Sequence, residues 1–131
     1  MGLKLKLRAG ESVYISGALI RNGSTSTELE ILNKVPILRE KDIMLESDIQ
    51  TPCEQLYFLV QTLYLQPGNE AELIKLFSKL SEDIVHAAPS MSSIMEAVYD
   101  KVALKAYFDA LKCARKLIKY ESSLVSHAKA T

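Results

Sequence analysis

Residues 3–8 read LKLKLR, with Leu3, Leu5 and Leu7 alternating against Lys4, Lys6 and Arg8. A period of two is that of a β-strand with one buried face. Residues 51–65, TPCEQLYFLVQTLYL, obey a different rule, with a cap, a proline and then apolar residues at helical spacing. The change of period between these two stretches decides the fold class. A strand-forming segment comes first and a helix-forming one second, which makes the chain α+β.

From LKLKLR the strand pattern extends outward. Ala9-Gly10-Glu11 reads as a turn, and SVYISGALIR follows with Val13 and Ile15 alternating against Tyr14 and Ser16. Gly17 takes the next inward position without a side chain, so a bulge or bend is expected there. Asn22-Gly23 is the strongest hairpin turn in the sequence, because both residues accept positive φ. STSTELEILNK alternates through Leu29 and Ile31, and PILRE gives a last strand with Pro36 at its start. The expectation is a small antiparallel sheet of four or five short strands.

Helices fill the remainder. Thr51-Pro52-Cys53-Glu54 has the form of a capping box with proline at the first helical position. Its helix should run from Pro52 to about Leu65 and stop at Pro67-Gly68. Asn69-Glu70-Ala71-Glu72 repeats the capping pattern ahead of Leu73, Leu76, Phe77, Leu80 and Ile84. Ala87-Ala88-Pro89-Ser90 breaks the chain. A third helix is expected over Met91 to Lys101 and a fourth from about Leu104 to Ser123, with a poorly marked join that also allows one bent helix. The reading is a bundle of three or four helices, with a sheet subdomain over 1–46 and a helical subdomain over 47–131 folding as one cooperative unit.

Composition bounds the function. The 131 residues are 48% hydrophobic and 24% charged, ordinary for a globular chain, and the formal net charge is zero. Bulk attraction to nucleic acid is therefore absent, and DNA is not an expected partner. The average hides segregation: residues 1–44 carry +2, residues 45–100 carry −7 and residues 101–131 carry +5. No signal peptide or membrane-length apolar run stands in the sequence, so a soluble intracellular protein is expected. Cys53 and Cys113 fall inside predicted helices and read as buried, reduced thiols.

Enzyme chemistry finds little support. His86 and His127 are the only histidines and neither sits at metal-ligand spacing, while no nucleophile-elbow, phosphate-loop or dinucleotide motif occurs. Neither catalysis, nor a metal, nor a cofactor is expected. Lys112, Arg115, Lys116 and Lys119 form a cationic stripe on the fourth helix, opposite a core stripe of Leu104, Phe108, Leu111, Ala114 and Ile118. Such a stripe either solvates the outer face and complements the macrodipole, or binds a partner. The helix over 52–65 is apolar round most of its circumference, which suits a central core element or an interface. Tyr57, Tyr64, Lys112 and Lys116 are the candidate partner-binding residues, and self-association is a further use of such surfaces.

The cations of LKLKLR have two readings. Lysines on an edge strand discourage unwanted pairing. Arg39 and Lys41 also alternate along the last predicted strand, however. If the first and last strands are neighbours, Lys4, Lys6, Arg8, Arg39 and Lys41 share one face and present five cations to a phosphate backbone. Five contacts to a single strand predict a roughly hundredfold loss of affinity between about 50 and 200 mM salt.

The segments LKLRAGE (5–11), SGALIRNG (16–23), ILREKDIM (37–44), TPCEQLYFLVQTLYL (51–65) and ALKCARKLIKYE (110–121) resemble the flagellar post-transcriptional regulator family FlbT, the flagellum biosynthesis repressors. The resemblance covers nearly the whole length. It departs at Ala9, where proline is usual, and matches only in helical character over 81–98. It implies a cytoplasmic repressor of flagellin synthesis acting at the 5′ untranslated region of flagellin mRNA, with a small helical partner, FlaF. A protein-interaction module that binds flagellin or FlaF through its helices, with an indirect effect on RNA, is the alternative it leaves open. Residues 3–43 are also similar to the carbon storage regulator family CsrA, through the Leu-x-Leu-Arg-x-Gly-Glu start, Ile15-Ser16-Gly17 and Leu38-Arg39-Glu40. That similarity implies an RNA-binding role for Arg39, and aligns Arg8 with a basic residue of the first strand. Leu7 stands where that family has another arginine.

Overall fold

The computed structural model describes residues 2–66 and 68–130, with side chains through 128. The chain divides into two compact units, residues 1–43 and 44–131.

The first unit holds five strands and a 3₁₀ turn over Glu40–Asp42. β1 (Leu3–Leu7) pairs antiparallel with β4 (Thr27–Ile31), placing Leu3 opposite Ile31, Leu5 opposite Leu29 and Leu7 opposite Thr27. β2 (Ser12–Ile15) lies between β3 (Ala18–Arg21) and β5 (Ile37–Arg39) in a second antiparallel sheet. Leu5, Leu7 and Val13 are buried at the centre, and Ile15, Leu29, Ile31 and Ile37 pack around them. The strands are therefore those the period of two marks out, but they divide between two small sheets.

The turns differ from the expectation. The hairpin lies at Ser16-Gly17, where φ is 50° and 87°, and it joins β2 to β3. Positive φ at both central residues is the geometry whose twist suits a two-residue hairpin. Gly17 thus closes a tight turn; no bulge continues the strand. Asn22-Gly23 makes no hairpin, because β3 and β4 belong to different sheets. The Asn22 side chain instead braces the crossing, its amide donating to the carbonyls of Leu7 at 3.3 Å, Arg8 at 2.8 Å and Thr25 at 2.9 Å. Those bonds tie the end of β1 to the segment between β3 and β4.

The second unit holds four helices. α1 (Pro52–Leu65) starts at the expected capping box, with Glu54 N donating to Thr51 Oγ1 at 3.2 Å and Thr51 N to Glu54 Oε1 at 3.1 Å. Pro67 lies outside the described residues; α1 closes with Gln66 N on the Thr62 carbonyl. α2 (Glu70–Ala87) begins at Asn69, whose side chain makes no capping bond, so the second box of the sequence reading does not form. A 3₁₀ turn over Pro89–Met91 leads into α3 (Ser92–Ala103), and α4 spans Tyr107–Ala130.

α3 and α4 are separate helices. Lys105 adopts φ 59°, Ala106 N bonds to the Lys101 carbonyl at 2.8 Å and Lys105 N to the Val102 carbonyl at 2.9 Å. This is the Schellman termination, with lysine where glycine is usual. The same turn removes Leu104 from the core stripe, leaving it 74% exposed. The buried face of α4 is Tyr107, Ala110, Leu111, Ala114 and Leu117, while Phe108 is 41% exposed. α1 is central to the bundle: Cys53, Leu56, Tyr57, Val60, Leu63 and Leu65 are all buried. Gln61, its one buried polar residue, bonds Met44 twice, accepting from Met44 N at 2.8 Å and donating to Met44 O at 2.9 Å.

Candidate nucleic-acid interface

The first and last strands are not neighbours. β1 pairs with β4, and β5 pairs with β2. The alternating register of β1 explains its cations: Lys4 stands opposite Glu30 and Lys6 opposite Glu28. Opposite charges directly across a strand pair stabilise it. LKLKL and TELEI are complementary on both faces, Leu3 and Leu5 to Ile31 and Leu29 on one and lysine to glutamate on the other.

Arg39 nevertheless reaches β1. Its Nη2 donates to the Lys6 carbonyl and lies 3.4 Å from Glu11 Oε2. Lys6, Arg8, Arg39 and Lys41 line one cleft of about 450 Å³, together with Glu11 and Glu40. Lys4 does not line it. Four of the five cations singled out in the sequence therefore meet at one concavity, through a side-chain bridge and not through strand pairing.

The two carboxylates serve the backbone. Glu11 Oε1 accepts from Arg8 N at 2.8 Å, closing the β1–β2 turn in which Glu11 N bonds the Arg8 carbonyl at 3.0 Å. That backbone bond, then the Arg39 guanidinium, hold the Glu11 carboxyl below the usual carboxylate range. A carboxyl with a depressed pKa stabilises the fold above its unfolded value, and the contribution fades as the pH falls through the folded one. Glu40 Oε1 accepts from Ser12 N at 3.1 Å. Both acids sit at the ends of extended segments, where the alternation pattern gives no sign of them. With two carboxylates against four cations the cleft keeps a surplus of two positive charges, enough to attract a phosphodiester but not to dominate the field of the molecule.

The other concavity of note, about 670 Å³ between α2 and α3, carries Glu82, Glu96 and His86 among its lining and no lysine or arginine. Among the described residues no group of three or more His, Cys, Asp or Glu is placed to hold a metal, and no helix is long and apolar enough to cross a membrane.

The helical residues singled out in the sequence separate. Tyr57 is 1% exposed, with Arg115 Nη2 donating to its hydroxyl at 3.0 Å and the guanidinium 5.1 Å from the ring centre. Tyr57 is thus core, not surface, and Arg115 turns toward α1 out of the cationic stripe. Tyr64 is half-buried, its ring centre 5.8 Å from that of Phe108 and tilted 46° to it, while Lys112 Nζ lies 4.9 Å over the Phe108 ring. Lys116 is exposed. Aromatic rings do interleave with the charges of α4, since Phe108 sits one turn before Lys112 on an outward face.

Burial, reinforced by the Glu121 carboxylate, pushes the Cys53 thiol up to about 12. Both cysteines are free. The Tyr107 hydroxyl is buried and has no hydrogen-bond partner among the described residues.

Comparison with known proteins is consistent along the whole chain. The family described as "Flagellar protein FlbT" matches residues 3–125. The "Flagellum biosynthesis repressor protein FlbT" of Caulobacter vibrioides (strain ATCC 19089 / CIP 103742 / CB 15) is 36% identical over 129 residues, covering 97% of this chain and 92% of that one. The "Probable flagellum biosynthesis repressor protein FlbT" of Caulobacter sp. (strain K31) is 35% identical, covering 97% and 98%. The "Probable flagellum biosynthesis repressor protein FlbT 1" of Bradyrhizobium diazoefficiens is 36% identical over 132 residues, covering 100% and 90%. No solved structure matches. Identity at this level across nearly the full length of each relative leaves one assignment: the chain belongs to the flagellar protein FlbT family.

Proposed function

We propose that the chain represses flagellum biosynthesis in the cytoplasm after transcription, by holding phosphates of a flagellin mRNA leader in the cleft formed by Lys6, Arg8, Arg39 and Lys41. Relatives named as flagellum biosynthesis repressors support the repressor role. The observation that carries the RNA contact is the convergence of four cations on one concave surface, Lys6 from β1, Arg8 from the turn after it, Arg39 from β5 and Lys41 from the 3₁₀ turn that follows. Binding and positioning are its whole chemistry, with no catalytic step and no cofactor. Lys6, Arg8 and Lys41 are the phosphate contacts. Arg39 is chiefly a positioning residue, because its guanidinium already serves the Lys6 carbonyl and Glu11.

Lys4 has no part in this role, so the backbone is neutralised at three points. An Arg39→Ala change also removes the bridge to β1, so it cannot by itself separate binding from folding. The informative variant neutralises Lys6 and Lys41, both exposed, without setting a like charge against Glu28. Translation of a reporter fused to a flagellin leader is expected to fall when the purified protein is added. It should recover when Lys6→Gln/Lys41→Gln is added instead. Equal repression by both proteins would remove the cleft from the mechanism.

A second reading rests on Phe108, Tyr64 and Lys112. A half-exposed ring under a lysine suits an acidic, apolar partner segment, such as a FlaF-type helical protein or flagellin itself. Loss of repression in Phe108→Ser with the cleft intact would favour it.

A further inference from the structure

β3 is an exposed edge. All four of its residues, Ala18–Arg21, are exposed, with Leu19 at 55% and Ile20 at 38%. It pairs on one side only, with β2. Edges are ordinarily blunted by brevity, by proline, by bulges or by charges along the strand. β3 is brief, at four residues, and its single charge is Arg21, at the end.

The pairing pattern shows which backbone groups of β3 face outward. Asn22 N donates to the Glu11 carbonyl at 2.8 Å, and the two-residue turn makes Ile15 and Ala18 a bonded pair. Bonded and non-bonded pairs alternate in an antiparallel ladder. Val13 with Ile20 is therefore bonded, whereas Tyr14 with Leu19 and Ser12 with Arg21 are not. The N–H and C=O of Leu19 and Arg21 point away from β2, to the open side.

We propose that β3 pairs antiparallel with β3 of a second copy of this chain, across a two-fold axis at Leu19. A two-fold perpendicular to the sheet keeps each face on its own side, so only residues of equal parity can meet. Centring on Leu19 satisfies that rule together with the outward amides. Leu19 exchanges both backbone bonds with Leu19 of the other copy. On the opposite face Ala18 meets Ile20, a small residue against a large one, twice. Arg21 falls opposite Gly17, so the two guanidinium groups stand at opposite ends of the strand pair without repulsion. A second copy suits the edge in shape, backbone parity and charge. The cleft borders β5, at the far edge of the same sheet, and stays open.

The surface is short, so the dimer is weak on the scale of stable interfaces. Sedimentation equilibrium from about 10 to 500 μM is expected to show mass rising from the 14.6 kDa of one chain toward twice that value. Leu19→Lys places a charge on the axis against its own copy and should weaken association at least tenfold with an unchanged circular dichroism spectrum. In the unaltered protein, hydrogen exchange at the Leu19 and Arg21 amides should slow as concentration rises. Two results overturn the proposal: a single-chain mass throughout the range, or a dimer in which the Leu19 amide exchanges equally fast at every concentration.

Discussion

Ser16 carries a cost that the sequence alone does not show. At φ 50° it holds the left-handed conformation at the first position of the β2–β3 turn, ahead of Gly17 at 87°. Asparagine tolerates that region better than serine. Ser16→Asn is therefore expected to stabilise by up to about 1 kcal/mol, raising the thermal midpoint by about 2–4 °C in a melt followed by circular dichroism. Asn-Gly at 22–23 is the stronger hairpin signal by composition, yet the Asn22 amide is spent on three carbonyls and the weaker Ser-Gly pair turns the chain. Only long-range pairing distinguishes the two, and a local pattern cannot see it. Cys53 makes a second residue-scale point. Its thiol is buried and held protonated by burial and by Glu121, while Cys113 is half-buried. Iodoacetamide at about pH 8 should label Cys113 first and Cys53 only on unfolding, as read by peptide mass.

At the scale of elements, α1 was legible because its signals are local. Thr51, Pro52 and Glu54 fix the start within four residues, and the apolar circumference marks a central helix. The join of α3 and α4 was less so, because Lys105 takes the left-handed position where glycine would have announced a stop. A shift of the helix start to Tyr107 then moved the buried stripe and left Leu104 outside. The strand pairing was legible in principle: the alternation of lysine in β1 matches the alternation of glutamate in β4. Reading β1 by itself suggested a bare cationic face. Gln61 interrupts an apolar run for a reason equally hidden from local pattern, since its amide substitutes for a strand partner at Met44. Gln61→Ala leaves the Met44 N–H and C=O unpaired and should cost about 2–3 kcal/mol, visible as a lower urea midpoint with unchanged slope.

For the whole molecule, net neutrality bears on the proposed RNA contact. With a formal charge of zero the chain has no net charge to gather nucleic acid, so the contact proposed for the cleft rests on short-range attraction. That part of the site was only half visible in the sequence. Four of its cations were named from alternation, whereas the bridge from Arg39 to β1 and the two structural carboxylates depend on the three-dimensional arrangement. The decisive measurement is the salt dependence of flagellin-leader RNA binding, by fluorescence anisotropy between about 50 and 200 mM salt. Three phosphate contacts give a slope of about −2 in log K against log salt, a loss of about twentyfold, and Lys6→Gln/Lys41→Gln should cut that slope to about a third. No binding at the lowest salt, or the same slope in the double variant, would show that the cleft does not hold the message.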